Sequence, residues 1–375
     1  MTKIKLTLLI LNFLWLLAIS ESSFARHAAI IIDANNGNVL HEIEATQSWY
    51  PASLTKLMTL YMTFEALKTG RIRLYDTLTA STHASQQPNS KLGLRRGEHI
   101  TVEEAILAII TRSANDASVV LAEYLGGTEE NFAAHMTAKA HALGMYNSHF
   151  MNATGLPNNW QVTTSRDMAV LAWKTQRYFP EYYHYFAASS LNFKGRELKA
   201  INKFTANYPG AEGMKTGFTC GSGFNLIGAA HQNGKHLIGV VMGGNTSKER
   251  YQLMMQKMDA VFASADTYAP EKNVNNMPTD SAGSPPYILD CGNGASQAVS
   301  HRVLTPHHSI VKSNKHKNIK LVKTSKTNTK KGLHTTLAHV KASNKTKQVL
   351  PVKKATKPSK TIVKTIAKNK NYHKT

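Results

Sequence analysis

The last 75 positions of this 375-residue chain contain no acidic residue, and they hold 19 lysines and one arginine. Across the whole chain 45 Lys and Arg face 23 Asp and Glu, a formal charge of +22. Without residues 301–375 the balance is 25 basic against 23 acidic, close to neutral. The charge therefore belongs to a tail, which excludes a basic nucleic-acid-binding fold as the reading of the body. Cysteine is nearly absent. Cys220 and Cys291 are the only two, too few for a disulfide-knit scaffold. The 17 histidines show no H-E-x-x-H spacing, so neither a metal nor another cofactor is expected. The tail has one aromatic residue, Tyr372, and no sustained hydrophobic period. Such a segment cannot build a core, and disorder is expected over 301–375.

Long apolar runs are also lacking, with one exception at the start. Lys3 and Lys5 precede an apolar stretch over residues 6–19, followed by Ser23-Phe24-Ala25. A positive start, an apolar stretch too short to span a bilayer and a small-x-small site predict a signal peptide over 1–25, cut before Arg26. The mature chain is then exported to the periplasm or cell envelope, where nucleic acid is not an expected partner. Export also makes a Cys220–Cys291 bridge feasible; the alternative is a small buried thiol and an unpaired one.

The body reads as α+β. Residues 28–33 form an apolar strand, Asn36-Gly37 a turn, and residues 39–42 a return strand. A helix over 53–67 is apolar nearly all round, which predicts burial. Thr101 and Glu104 form a capping box for a helix through Ile110, and further helices are expected over 115–125, 129–143 and from Thr164 or Ser165 to Trp173. Strands return at 213–219, 224–231 and 237–242, the last two joined by Asn233-Gly234. Thr246-x-x-Glu249 then opens a final amphipathic helix. Hairpin connections imply an antiparallel sheet, and strands apolar on both faces imply helices on both sides. The helices between the two sets of strands form an insertion. Residues 266–300, rich in Pro, Asn, Ser and Gly, read as a linker. At the tail's end Ile362, Val363, Ile366 and Ala367 share a face opposite Lys360, Lys364 and Lys368, a short basic amphipathic helix suited to an anionic membrane surface.

Three short motifs carry chemistry. Ser53-Leu54-Thr55-Lys56 opens the buried helix, Ser113-Ala114-Asn115 lies between two helices, and Lys215-Thr216-Gly217 lies on a strand. Each has a decoy: Ser309 to Lys312, Ser190 to Asn192, and Lys68-Thr69-Gly70. Only the set at 53, 113 and 215 runs in order through one body. A serine hydroxyl needs a base to become a nucleophile, and Lys56 lies one helical turn away on the same face. Desolvation would make its neutral amine accessible. Ser113 can relay a proton and Asn115 can donate to a substrate amide. Lys215 offers a fixed positive charge for a carboxylate, with the Thr216 hydroxyl beside it, and their strand can pair with an extended peptide.

These motifs resemble the S-x-x-K, S-x-N and K-T-G set of β-lactamases and penicillin-binding proteins. The flanking stretches Tyr50-Pro51-Ala52-Ser53, Arg112-Ser113-Ala114-Asn115-Asp116, Asn152-Ala153-Thr154-Gly155-Leu156-Pro157 and Gly213 to Thr219 narrow the resemblance. Over roughly residues 27–265 the chain is similar to the low-molecular-weight penicillin-binding proteins that are D-alanyl-D-alanine carboxypeptidases. The resemblance implies a β-lactamase-like five-stranded antiparallel sheet with helices on both faces, and a serine acyl-enzyme hydrolase acting on peptidoglycan stem peptides and acylated by β-lactams. It further implies Ser53 as acyl nucleophile, Lys56 as proton acceptor, Ser113 as an aid to proton transfer and Lys215 as carboxylate binder. The backbone N–H groups of Ser53 and Phe218 would form the oxyanion hole, and Arg250 would help hold the terminal carboxylate. Many relatives carry a second β-rich domain; residues 266–300 show no strands for one. No E-x-x-L-N stretch occurs, which argues against a β-lactamase. A D,D-endopeptidase, or an envelope-binding protein acting through the polycationic tail, are the other readings.

Overall fold

The computed structural model describes residues 27–264, 272–279 and 283–286. The signal peptide over 1–25, Cys291, the tail over 301–375 and its terminal amphipathic helix lie outside the described residues. Strands β1 (Ala28–Asp33) and β2 (Val39–Ile43) form the first hairpin. After the insertion, β7 (Ala211–Thr219), β8 (Gly223–Gln232) and β9 (Lys235–Gly244) run as a meander. Asn233 and Gly234 both take positive φ in the β8–β9 turn, the geometry their sequence predicts. β1 pairs with β9, closing an antiparallel sheet in the order β2-β1-β9-β8-β7. The five-stranded antiparallel sheet expected from the sequence is thus the observed one, and it leaves β7 as an edge.

Period-two alternation divides the sheet's side chains between two cores. Ile30, Ile32, Ile227, Ala229, Ile238 and Val240 face the helices of the insertion. Ala29, Ile31, Leu226, Ala230, Leu237 and Val241 face the opposite way. The insertion contains α1 (Lys56–Lys68), α2 (Val102–Arg112), α3 (Asn115–Gly126), α4 (Glu129–Ala142) and α5 (Ser165–Tyr178). The second face is covered by α6 (Ser247–Ala263) through Tyr251, Met254, Met258 and Val261. The caps follow the sequence. Thr101 and Glu104 exchange both bonds of a capping box. Thr164, not Ser165, caps α5, which continues beyond Trp173. At α6, Thr246 accepts from the Glu249 N–H, while the Glu249 carboxylate reaches back to the N–H of Asn245.

Three expectations need correction. The buried helix does not begin at Ser53: Ala52–Thr55 is a 3-10 turn, and α1 starts at Lys56. Ser53 is therefore not a capping serine. Two small hairpins were not foreseen, β3 (Thr77–Thr79) with β4 (His99–Thr101) and β5 (Ser190–Phe193) with β6 (Arg196–Lys199). Strands of three or four residues are too short to show an alternation. The linker over 266–300 is not uniform either. Within it, residues 272–279 lie against the β1–β2 turn, where the N–H of Val39 donates to the Lys272 carbonyl and the N–H of Val274 to the Gly37 carbonyl. Val274 is fully buried and Met277 nearly so. Two apolar residues in a polar stretch suffice to dock it.

That strap also satisfies a buried arginine. Arg166 donates from Nε to the Val274 carbonyl at 2.8 Å, from Nη2 to the Asn275 carbonyl at 3.2 Å, and from Nη1 to Asp167 Oδ1 at 3.0 Å. Burial raises the Asp167 carboxyl above its ordinary value despite these bonds. Removing one member of a buried pair leaves the other charge uncompensated, so Arg166→Ala is expected to destabilise the fold by about 3–5 kcal/mol. Thermal unfolding of the full chain measures it; an unchanged Tm would show that the strap and its arginine are dispensable.

Candidate active site

Ser53, Lys56, Ser113, Asn115, Lys215 and Thr216 come together at the edge of β7, between the sheet and the helical insertion. They border one cleft of about 280 Å³, except that Lys56 and Lys215 lie beneath its wall. The Ser53 turn is seated by backbone contact. Gly217 on β7 packs so closely on it that a Cβ there would lie 3.1 Å from the nitrogens of both Ser53 and Leu54. This close approach brings the Ser53 N–H beside the Gly217-Phe218 segment.

Lys56 is fully buried. Its Nζ donates to Ser53 Oγ at 2.9 Å and to the Thr154 carbonyl. Desolvation lowers its pKa from the usual lysine value to about 7, against the opposing fields of Glu129 and Asp116. Near neutral pH a large fraction of this amine is thus unprotonated and in hydrogen-bond contact with a serine hydroxyl, the condition for nucleophile activation.

Ser113 terminates α2 in the left-handed conformation, with φ 56°. That turn aims its Oγ at β7, where it accepts from Lys215 Nζ at 2.8 Å. Lys215 is also buried and donates to the Thr216 carbonyl at 2.8 Å. Its pKa lies well below the usual lysine value, first by desolvation and then by repulsion from Lys56 and Arg250. Among the described residues no carboxylate lines the cleft; Glu129 and Asp116 act on Lys56, whereas the charges that act on Lys215 are the cations Lys56 and Arg250. A ligand carboxylate would supply Lys215 with a counter-ion.

Asn115 borders the cleft and also braces its wall. Its Nδ2 donates to the Pro88 carbonyl at 2.9 Å, and its backbone N–H donates to the Ser90 carbonyl. The side chain therefore braces the 88–90 segment of the cleft wall. Phe218 is half exposed and stacks on Phe224 with ring centroids 4.0 Å apart. Arg250, from the first turn of α6, reaches the cleft and donates to the Gly217 carbonyl at 3.1 Å.

Several contributors carried no motif signal strong enough to be assigned a role. Asp116 accepts from the N–H groups of Leu92, Gly93 and Leu94, anchoring the loop that passes the cleft. Asn152 Oδ1 accepts from the N–H groups of Thr154 and Gly155, curling the loop so that the Thr154 carbonyl meets Lys56. Both stand in stretches quoted for the resemblance, but nothing in their types announces a backbone-bracing role. Cys220, just past β7, is disulfide-bonded; Cys291, the other cysteine of the sequence, lies outside the described residues.

A family profile described as D-alanyl-D-alanine carboxypeptidase matches residues 17–246. The D-alanyl-D-alanine carboxypeptidase DacF of Bacillus subtilis is 34% identical over 254 residues, 66% of this chain and 65% of DacF. The chain likewise spans 65% of the Escherichia coli carboxypeptidase DacC, at 33% identity. Among solved structures, penicillin binding protein 5 from Haemophilus influenzae matches with a TM-score of 0.61 and 31% identity, over 65% of this chain and 73% of that one. Penicillin-Binding Protein D2 from Listeria monocytogenes, in its cefotaxime-bound form, matches with a TM-score of 0.57 and 29% identity, over 63% of this chain and 96% of that one.

Proposed function

The chain belongs to the D-alanyl-D-alanine carboxypeptidase family, and we propose that it removes the terminal D-alanine from peptidoglycan stem peptides through an acyl-enzyme on Ser53. One observation carries this reading: a fully buried Lys56 with its Nζ 2.9 Å from Ser53 Oγ and a pKa of about 7. The neutral amine takes the Ser53 proton as Oγ attacks the penultimate D-alanine carbonyl. The oxyanion is received by the N–H groups of Ser53 and Phe218. Collapse breaks the C–N bond. The proton that Lys56 took from Ser53 passes by way of Ser113, whose Oγ contacts Lys215, to the leaving amine, and Lys56 is neutral again. A water deprotonated by Lys56 then cleaves the ester, releasing the shortened stem and free Ser53.

Lys215, Thr216 and Arg250 receive the substrate carboxylate, whose charge offsets the mutual repulsion of the cations. A β-lactam presents a strained amide and a carboxylate in the same geometry, so it acylates Ser53. The edge strand β7 offers unpaired backbone groups to the extended stem. Among the described residues no helix is long and apolar enough to cross a membrane. The leader over 1–25 directs export to the periplasm or envelope, and the lysine-rich tail binds anionic envelope polymers with an affinity that falls with salt.

The test is D-alanine release from a synthetic peptide ending in D-Ala-D-Ala. The full chain is expected to release it, and Ser53→Ala to release none above background. Crosslink cleavage without terminal release would instead favour the endopeptidase reading, and rapid β-lactam turnover the β-lactamase one.

A further inference from the structure

The buried charge nearest in influence to Lys56, Glu129, plays no part in the steps above. It is the first residue of α4 and is largely buried. An acid at a helix start is ordinarily accounted for by the helix dipole alone, but this one points away from its own helix. Its Oε1 accepts from the N–H of Ala153 at 2.9 Å. Its Oε2 lies 2.6 Å from His83 Nε2. Ala153 is fully buried, and its carbonyl accepts from Thr59 Oγ1 on α1 at 2.8 Å. The next carbonyl, that of Thr154, is the acceptor for Lys56 Nζ. Ala153, the residue before the one whose carbonyl meets the lysine, is therefore clamped from two sides, by Glu129 on its N–H and by Thr59 on its carbonyl. At the other end of the carboxylate, about half of the His83 side chain remains exposed to solvent.

We propose that Glu129 is a positioning residue for the reaction centre, holding the Ala153-Thr154 backbone against Lys56 and acting on its charge, and that His83 is the solvent-facing group that tempers Glu129. The inference rests on Lys56 serving as the base for Ser53.

Electrostatics points the same way. Glu129 favours the protonated form of Lys56, as does Asp116 on α3, while a protonated Lys56 disfavours the charged form of Lys215 on β7. The bond to Glu129 raises the His83 pKa, with Glu123 and Glu130 adding to it. A protonated His83 offsets the negative charge of Glu129, so its loss strengthens that charge as felt at Lys56. The two members of the pair thus act on the lysine with opposite sign.

The test follows the second-order rate of acylation by a fluorescent penicillin across pH, because that parameter reports the free enzyme. In Glu129→Gln the amide oxygen can still accept from Ala153, but the charge is gone, and the acidic limb is expected to move down by roughly half a pH unit or more. In His83→Gln the charge of Glu129 stands unopposed, and the limb is expected to move up. A merely structural role would lower the rate without moving the limb. Limbs that stay within error of the wild type in both variants would overturn the proposal, as would shifts of the same sign. His83 lies at the surface, so its variant keeps the test decisive if Glu129→Gln fails to fold. Absence of acylation in the wild type would instead sink the acyl-enzyme reading.

Discussion

Lys56→Met is expected to lower the acylation rate by about a thousandfold at neutral pH while leaving the fold intact. General-base assistance is worth some 10²–10⁴-fold. Methionine fills a similar volume without the amine, so the loss reports the base rather than a collapsed site. In the wild type, burial places the Lys56 pKa at about 7. The sign follows from the active form. Below that pH the amine is protonated and cannot take the Ser53 proton; above it the amine is free. The rate should therefore rise with pH through about 7 and then level off. In Lys56→Met that limb should vanish, because the titrating group is gone. A retained limb near pH 7 would assign the base to another residue. The measurement is the pH profile of acylation by a fluorescent penicillin, with Tm as the control for folding.

Gly155→Ala is expected to be the most damaging single-methyl change. Gly155 has φ +83° and sits against the turn that presents Ser53. A Cβ there would lie 1.8 Å from the Ala52 carbonyl oxygen, a backbone atom that cannot swing aside. Either the loop over 152–157 or the Ser53 turn has to move. Both movements break the contact between Lys56 and the Thr154 carbonyl. Overpacking and left-handed strain together are expected to cost about 2–4 kcal/mol, and acylation should fall by at least about a hundredfold from misplacement of the reacting groups. Thermal unfolding and acylation rate check the two parts separately. A normal Tm with normal acylation would show that the loop yields without consequence.

The elements most legible in the sequence were those whose signals are local. The Asn233-Gly234 turn and the Thr101–Glu104 capping box are settled by the φ preferences and side-chain reach of two to four adjacent residues. The β5–β6 hairpin and the start of α1 were less legible. The first is too short for a period to emerge. At the second, the apolar pattern extends the helix back to Ser53, but the Ser53-Leu54 turn is packed against Gly217 and winds as a 3-10 turn.

The same division runs through the candidate site. Sequence alone placed the strands along the chain, their hairpin pairing, the buried helix and the three motifs at 53, 113 and 215, because alternation, caps and spacing are short-range properties of the chain, whereas the pairing of β1 with β9 is set by the tertiary structure. Only the tertiary structure decided that Lys56 is stripped of water, that Asn115 braces the cleft wall it borders, and that Glu129 reaches across to Ala153. It also decided that residues 272–279 dock on the body to satisfy Arg166. A lysine reads the same in a sequence whether solvated or buried. Its pKa depends on what other segments place around it, and that is a property of packing at long sequence separation.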